Sequence, residues 1–189
     1  MELLNVLLLI IIVVLFYAAM RYRIYVSGYE QIEIGPAEKM ELVKLEEATA
    51  PQIAQFAEIM SRPENTRALG TGEAWTGEKI AQFVEHARED AASGNATYAH
   101  WLICADSAVV GYVSLRPFTG SQLQFRYVVD PAFRGRGYAK WAVRKLAQPG
   151  HWFVVDPANA ASINVAMAAG AKPAGKKYIK GKPYGLYKV

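Results

Sequence analysis

The chain holds a single cysteine, Cys104, set in an apolar run, which excludes an intrachain disulfide and a cysteine-built zinc centre. No metal site is expected. No basic residue precedes Arg21, and no acidic residue follows Asp156. The net charge of +4 is too small to argue for nucleic acid, and no basic patch interleaved with stacked aromatics adds to it, so no nucleic-acid partner is expected. Apolar residues make up 52% of the 189 positions and charged residues 20%, which excludes global disorder and allows one packed domain plus an appendage.

The most informative stretch runs from Tyr127 to Ala142. Tyr127-Val128-Val129 reads as the end of a strand, and Asp130-Pro131 stops it because proline cannot donate to a ladder. Gly135 and Gly137 permit a sharp turn and close approach of the backbone to a ligand, and Tyr138 opens a helix. Such a strand-turn-helix aims unpaired N–H groups at one point by the positive end of a helix dipole, a site suited to phosphate. Arg134, Arg136, Lys140 and Arg144 add positive charge there. The loop lacks the Gly-Lys-Ser/Thr ending of a P-loop and the Gly-x-Gly-x-x-Gly of a dinucleotide fingerprint.

Arg134, Gly137 and Ala139, with Gly135 and Arg136 between, resemble the Arg/Gln-x-x-Gly-x-Gly/Ala signature of the GNAT N-acetyltransferases. The surrounding Val-Asp-Pro-x-x-Arg-Gly-x-Gly-Tyr-Ala is most similar to the branch that acetylates protein N-termini, including those of ribosomal proteins. About 25 residues on, Asn159 and Ser162, followed by a helix ending at Gly170, resemble the family's second motif. The resemblance covers roughly Met40 to Val189. It implies an α/β (α+β) GNAT fold, a mixed and mostly antiparallel sheet with flanking helices, over a domain of residues 38–189. It also implies acetyl-coenzyme A as co-substrate and an amine as acceptor. Val128, Val129, Arg134, Gly135, Arg136, Gly137, Tyr138, Ala139, Asn159 and Ser162 would then contact the coenzyme, although Asn159 reads equally well as a helix N-cap.

The same resemblance implies a catalytic set of Tyr127, Gln124 and Ser162. A backbone N–H at Tyr127, Val128 or Val129 would polarise the thioester carbonyl. Where many relatives carry a glutamate base the chain has Gln124, which cannot accept a proton at neutral pH, and where many carry a tyrosine acid it has Ala166. Ser162 or water would then protonate the departing thiolate, and His100, Glu73 or Asp130 could replace the base. Two classes follow: an N-acetyltransferase, or a non-catalytic GNAT module that binds acyl-coenzyme A or a partner.

Leu3 to Met20 is an 18-residue run with Asn5 as its only strongly polar member. As a helix it would span about 27 Å, enough to cross a thin bilayer. Residues 1–22 are read as an uncleaved transmembrane anchor, since a signal peptide would want a basic start. Arg21 and Arg23 place the following domain in the cytoplasm, after a linker over residues 23–37. Asn95-Ala96-Thr97 is a glycosylation sequon that matters only in the opposite orientation.

Along the domain, residues 39–46 read as a first strand, Thr49 to Gln52 as a capping box opening a helix, and residues 62–77 as irregular. Thr76 caps a helix over 78–92. Strands follow over 97–105 and 109–115, joined by Asp106-Ser107, with 116–121 turning into a strand over 122–129. A helix over 138–147 and a strand over 152–155 complete a parallel crossover. The lysine-rich end (Lys172, Lys176, Lys177, Lys180, Lys182, Lys188) reads as a solvated face, a coenzyme 3′-phosphate contact, or a surface for an anionic leaflet.

Overall fold

A computed structural model of the chain describes residues 39–67, 69, 72–94 and 98–189. The expected anchor, its linker and the Asn95 sequon lie outside the described residues, among which no helix is long and apolar enough to cross a membrane. The elements run β1 (Met40–Lys44), a 3-10 turn (Leu45–Glu47), α1 (Ala50–Met60), α2 (Pro63–Thr66), α3 (Gly77–Ala92), β2 (Ala99–Ala105) and β3 (Ala108–Thr119). Then follow β4 (Gln122–Val129), a 3-10 turn (Pro131–Phe133), α4 (Tyr138–Leu146), β5 (Trp152–Val155), α5 (Ala160–Ala168), β6 (Lys172–Ile179) and β7 (Lys182–Lys188).

The strands form one sheet in the order β1-β2-β3-β4-β5-β7-β6. Every pairing is antiparallel except β4 with β5, which the α4 crossover makes parallel. This is the mixed, mostly antiparallel sheet with flanking helices expected from the motifs. Thr49 opens α1 as its capping box requires, its N–H donating to Gln52 Oε1 at 2.9 Å, and Thr76 Oγ1 accepts from Lys79 N–H at the start of α3. Asp106 and Ser107 take positive φ values of 46° and 72°, the backbone of a tight two-residue hairpin.

Two elements differ from the sequence reading. The stretch expected to be irregular contains α2, because Pro63 stands at its first turn, where the missing N–H costs nothing. The strand expected to end at Leu115 continues to Thr119 through Pro117. Among the described residues β2 pairs with β3 only as far as Leu115, so Pro117 interrupts no ladder bond described on that side.

Helices cover both sheet faces, and β2 is therefore apolar on successive residues. Leu102 and Cys104 pack with Phe56, Met60 and Val84 on the α1/α3 side, while Ile103 packs with Val113, Phe153, Val143 and Val165 on the α4/α5 side. Cys104 is fully buried, and burial pushes its thiol up to about 11, so it is a core residue rather than a nucleophile. The fold opens at one place. β4 and β5 are paired only at Gln124 and Trp152, and beyond that pair they part company. The wedge lies at the carboxyl ends of two parallel strands, where open α/β sheets hold ligands.

Candidate active site

The wedge contains a cleft of about 600 Å³. Tyr127, Val128, Val129, Arg134, Gly135, Gly137, Tyr138, Ala139, Asn159 and Ser162 all line it, so β4, the glycine loop and the start of α5 converge as the two motifs imply. Arg136 and Gln124 are absent from its wall. Arg136 lies over the Phe133 ring, 5.6 Å from the centroid, and Arg144 is turned to the Ala168 carbonyl at 2.8 Å. Of the cationic residues expected at the loop, Arg134 and Lys140 reach the cleft.

The loop owes its shape to main-chain conformation. Gly135 and Gly137 have φ values of 83° and 89°, which a residue with a Cβ rarely adopts, and Gly137 is the N-cap of α4. The first N–H groups of α4 have no helical acceptor, and its first turn carries no acidic residue. Beside them, Arg134 does more than supply charge: its Nε donates to the Val129 carbonyl at 3.0 Å and its Nη2 to Asn65 Oδ1 at 2.8 Å. Asn65 is buried, and its own amide donates to the Ile59 carbonyl at 2.9 Å. The motif arginine thus braces the loop against α2. Buried Asp130 completes the brace, accepting from Ala132 N–H and from Arg62 Nη1 at 2.6 Å.

Across the wedge Asn159 caps α5, its Oδ1 accepting from Ser162 N–H at 3.0 Å, and also lines the cleft. The Tyr127 hydroxyl donates to the Ser162 carbonyl at 3.3 Å, and burial pushes that phenol up to about 12. Strand alternation sorts the three backbone donors. Asp130 N–H donates to the Val110 carbonyl, which in an antiparallel ladder turns the N–H of Val128 towards β3 and those of Tyr127 and Val129 towards the wedge. Val128 therefore drops out as a donor to a thioester carbonyl and remains a wall residue.

Gln124 is buried and faces Arg116, its cross-strand partner; with its amide oriented to suit its surroundings, Oε1 accepts from both Arg116 Nε and Nη2. Of the other base candidates, Glu73 lines neither of the two cavities described, and Asp130 is held by Arg62. His100 lines a second cavity of about 410 Å³ on the α1/α3 side, together with Trp75, Phe83, Tyr98, Tyr112, Arg116 and Arg126. Burial draws His100 down to about 4 against a weaker pull from Asp90, and its Nδ1 lies 2.6 Å from the Tyr112 hydroxyl. Burial also raises Tyr112 far above the usual phenol value, so its hydroxyl stays protonated beside that ring. An imidazole held that low is a weak base for a proton taken from an amine.

Several wall residues carry no signal in the sequence. Glu64 and Asn65 of α2 and Arg67 at its C-cap reach the cleft, and Leu69 and Trp75 reach the second cavity from the segment after it. They lie where no periodicity or motif marks the chain.

The acetyltransferase (GNAT) domain family matches residues 39–172. A search of curated proteins finds no match. Among solved structures, the chain is similar to RimL, a ribosomal L7/L12 alpha-N-protein acetyltransferase in complex with coenzyme A, with a TM-score of 0.61 and 16% identity over 82% of this chain and 95% of that one. It is similar to a putative ribosomal-protein-serine acetyltransferase from Vibrio cholerae, with a TM-score of 0.62 and 16% identity over 82% and 95% of the two chains. The microcin C7 self-immunity acetyltransferase MccE, in complex with acetyl-CoA and AMP, gives a TM-score of 0.64 and 13% identity over 84% and 99%. At these identities the likeness is one of fold.

Proposed function

The chain belongs to the GNAT acetyltransferases and uses acetyl-coenzyme A to acetylate an amine, and on that premise we propose that its preferred acceptor is the α-amino group of a protein or peptide N-terminus, met at the cytoplasmic face of a membrane. The cleft fits the coenzyme: loop and helix N–H groups, with Lys140, suit its phosphates, and the wedge beside Tyr127, Val129 and Ser162 suits the pantetheine arm. In the transfer a nitrogen–carbon bond forms and the carbon–sulfur bond breaks. The amine gives up a proton and the sulfur gains one.

The preference rests on Gln124. Its side chain is engaged by Arg116 and lies outside the cleft wall, so the position where relatives keep a base offers none. The acceptor must then arrive partly neutral and lose its proton to water. At pH 7 an α-amino group near pKa 8 presents about two hundred times more free base than a lysine near 10.4. The test is thiol release by the full chain with N-terminal peptides and with an Nα-blocked lysine, from pH 6 to 9. The N-terminal amines should react faster, with rates rising through the acceptor's own pKa. A preference for lysine overturns the reading, as does a chain that binds acetyl-coenzyme A and acetylates no amine at pH 9. Glu64 reaches the cleft from α2, and Glu64→Gln should leave the pH profile unchanged if water takes the proton.

The membrane part of the proposal is supported by the run from Leu3 to Met20 and by Arg21 and Arg23, which give a single-pass anchor with the domain cytoplasmic. The exposed β6–β7 hairpin, carrying Lys176, Lys180 and Lys182, would add attraction to an anionic leaflet of about 1 kcal/mol per basic residue. Glycosylation of Asn95 in a eukaryotic host, or a mature protein beginning near Met20, would contradict this topology.

A further inference from the structure

The cavity on the α1/α3 side has a charge arrangement that packing does not account for. Arg126 on β4 stands opposite Ser114 on β3, and Arg116 lies two residues further along β3, on the same face and in the same cavity. Like charges at diagonal sheet positions repel, and partial burial makes each dearer to keep. Both effects act here: burial draws each guanidinium below its ordinary value, and Arg116 lowers Arg126 further. None of the ion pairs among the described residues includes either arginine. Among the described residues the hydrogen bonds of Arg116 run to the neutral oxygen of Gln124, where a glutamate would have supplied a counter-charge.

The α3 wall carries the opposite sign, with Glu89 and Asp90 facing the same space. A bare anion would be drawn by one wall and opposed by the other, as would a bare cation. A molecule with charges of both signs suits each. Trp75, Phe83 and Tyr98 close the remaining sides with aromatic surface. The cavity and the cleft draw on the same elements from opposite faces of the sheet. Arg126 lines the cavity and its β4 neighbour Tyr127 the cleft, while Glu64, Asn65 and Arg67 reach the cleft and Leu69 and Trp75 the cavity.

We propose that this cavity seats the acceptor, and that the acceptor is an amine carrying a second, anionic group, a carboxylate or a phosphate, held between Arg116 and Arg126. The inference rests on the acetyl-transfer reading and narrows its substrate class. The anion would supply the counter-charge that neither arginine finds in an ion pair among the described residues.

Matched acceptors test it, with the full chain and thiol release as the readout. One pair is alanyl-aspartate amide against alanyl-asparagine amide, and the other is O-phosphoserine amide against serine amide; the first tests carboxylate and the second phosphate. The anionic member of at least one pair should have a kcat/KM about tenfold higher, the worth of one charge-assisted hydrogen bond. Arg126→Gln should erase that advantage while leaving acetyl-coenzyme A affinity unchanged, and Arg126→Lys, which keeps the charge, should retain part of it. Gln124→Glu should also shrink the advantage by giving Arg116 an internal partner. Equal rates within both pairs overturn the proposal, as does an advantage that survives Arg126→Gln and Arg116→Gln alike. If acetyl-coenzyme A binds and nothing is acetylated, the transfer reading fails instead. Calorimetric titration with O-phosphoserine amide and alanyl-aspartate amide then decides: binding of either that Arg126→Gln weakens about tenfold upholds the anion seat. No binding of either at millimolar concentration, or binding that the variant leaves unaltered, removes it.

Discussion

The cleft beside the glycine loop is lined largely by main chain and small residues, whereas the cavity on the α1/α3 side is lined mostly by long side chains from five segments. In the cleft the working groups are the N–H groups of the loop and of α4, the outward donors of Tyr127 and Val129, and small residues such as Gly135, Gly137 and Ala139 that keep room for a ligand. In the cavity they are guanidinium, carboxylate, imidazole and aromatic groups. The first arrangement tolerates side-chain exchange except where a Cβ itself is excluded. The second changes with each side chain. On the assignments proposed above, recognition of a shared co-substrate and choice of an individual acceptor fall to different kinds of surface. Variants in one should leave the other's ligand unaffected.

The largest effect that would break this division is at Gly137. Valine there must hold a φ of 89°, at a cost of about 2 kcal/mol or more, and acetyl-coenzyme A affinity should fall at least about thirtyfold. A Cβ at 137 meets no protein atom within 4 Å, so the domain should stay folded by circular dichroism. Calorimetry showing wild-type affinity would sink the phosphate-loop assignment.

A smaller effect separates charge from bracing at Arg134. Arg134→Lys keeps the charge and loses the paired bonds to Val129 and Asn65, so it should weaken coenzyme binding by about tenfold, with some loss of stability. Arg134→Glu should weaken it further. If lysine binds as well as arginine, the brace is irrelevant and the charge alone matters.

Ser162→Ala tests the chemistry within the cleft. Its N–H and carbonyl are held by Asn159 and Tyr127, and neither bond needs the hydroxyl, so the fold should be indifferent. If Oγ protonates the leaving sulfur, kcat should fall by about tenfold, at the low end of proton-transfer effects, with KM little changed. An unchanged kcat would pass that role to water.

The smallest effect belongs to the cavity and to stability alone. His100 is held near 4 in the folded chain against 6.5 in the free side chain, so between those values the unfolded chain binds the extra proton. Its contribution is therefore complete above about pH 6.5 and is lost as the pH falls towards 4. His151, also lowered by burial, adds in the same direction. Thermal melts at pH 7.5 and 4.5 should differ less in His100→Gln than in wild type. Identical pH dependence in the two would mean that His100 is already protonated or solvated in the fold.

The same contrast explains what could be read in advance. Strand, glycine turn and helix are local events, and Gly135 and Gly137 announce by their lack of a Cβ where the chain must turn left-handed. The glycine loop was therefore legible from residue types and spacing, whereas Asn159, Ser162 and the mixed sheet with its flanking helices followed from the resemblance to the family. The capping box at Thr49 was legible for the same reason, because every bond in it closes within four residues. Arg134 was legible as a motif residue, but its tie to Asn65 joins positions 69 apart and depends on where α2 lies.

Residue order by itself thus determined most of the elements, the glycine turn and the resemblance to the family. Register and packing decided the rest. Only the pairing of β3 with β4 sets Arg126 beside Arg116 and gives Gln124 to Arg116, and only the docking of α3 brings Glu89 and Asp90 to the same space. Only the single ladder pair of β5 with β4 opens the wedge. Those relations join residues distant in the chain, and no local conformational preference encodes them.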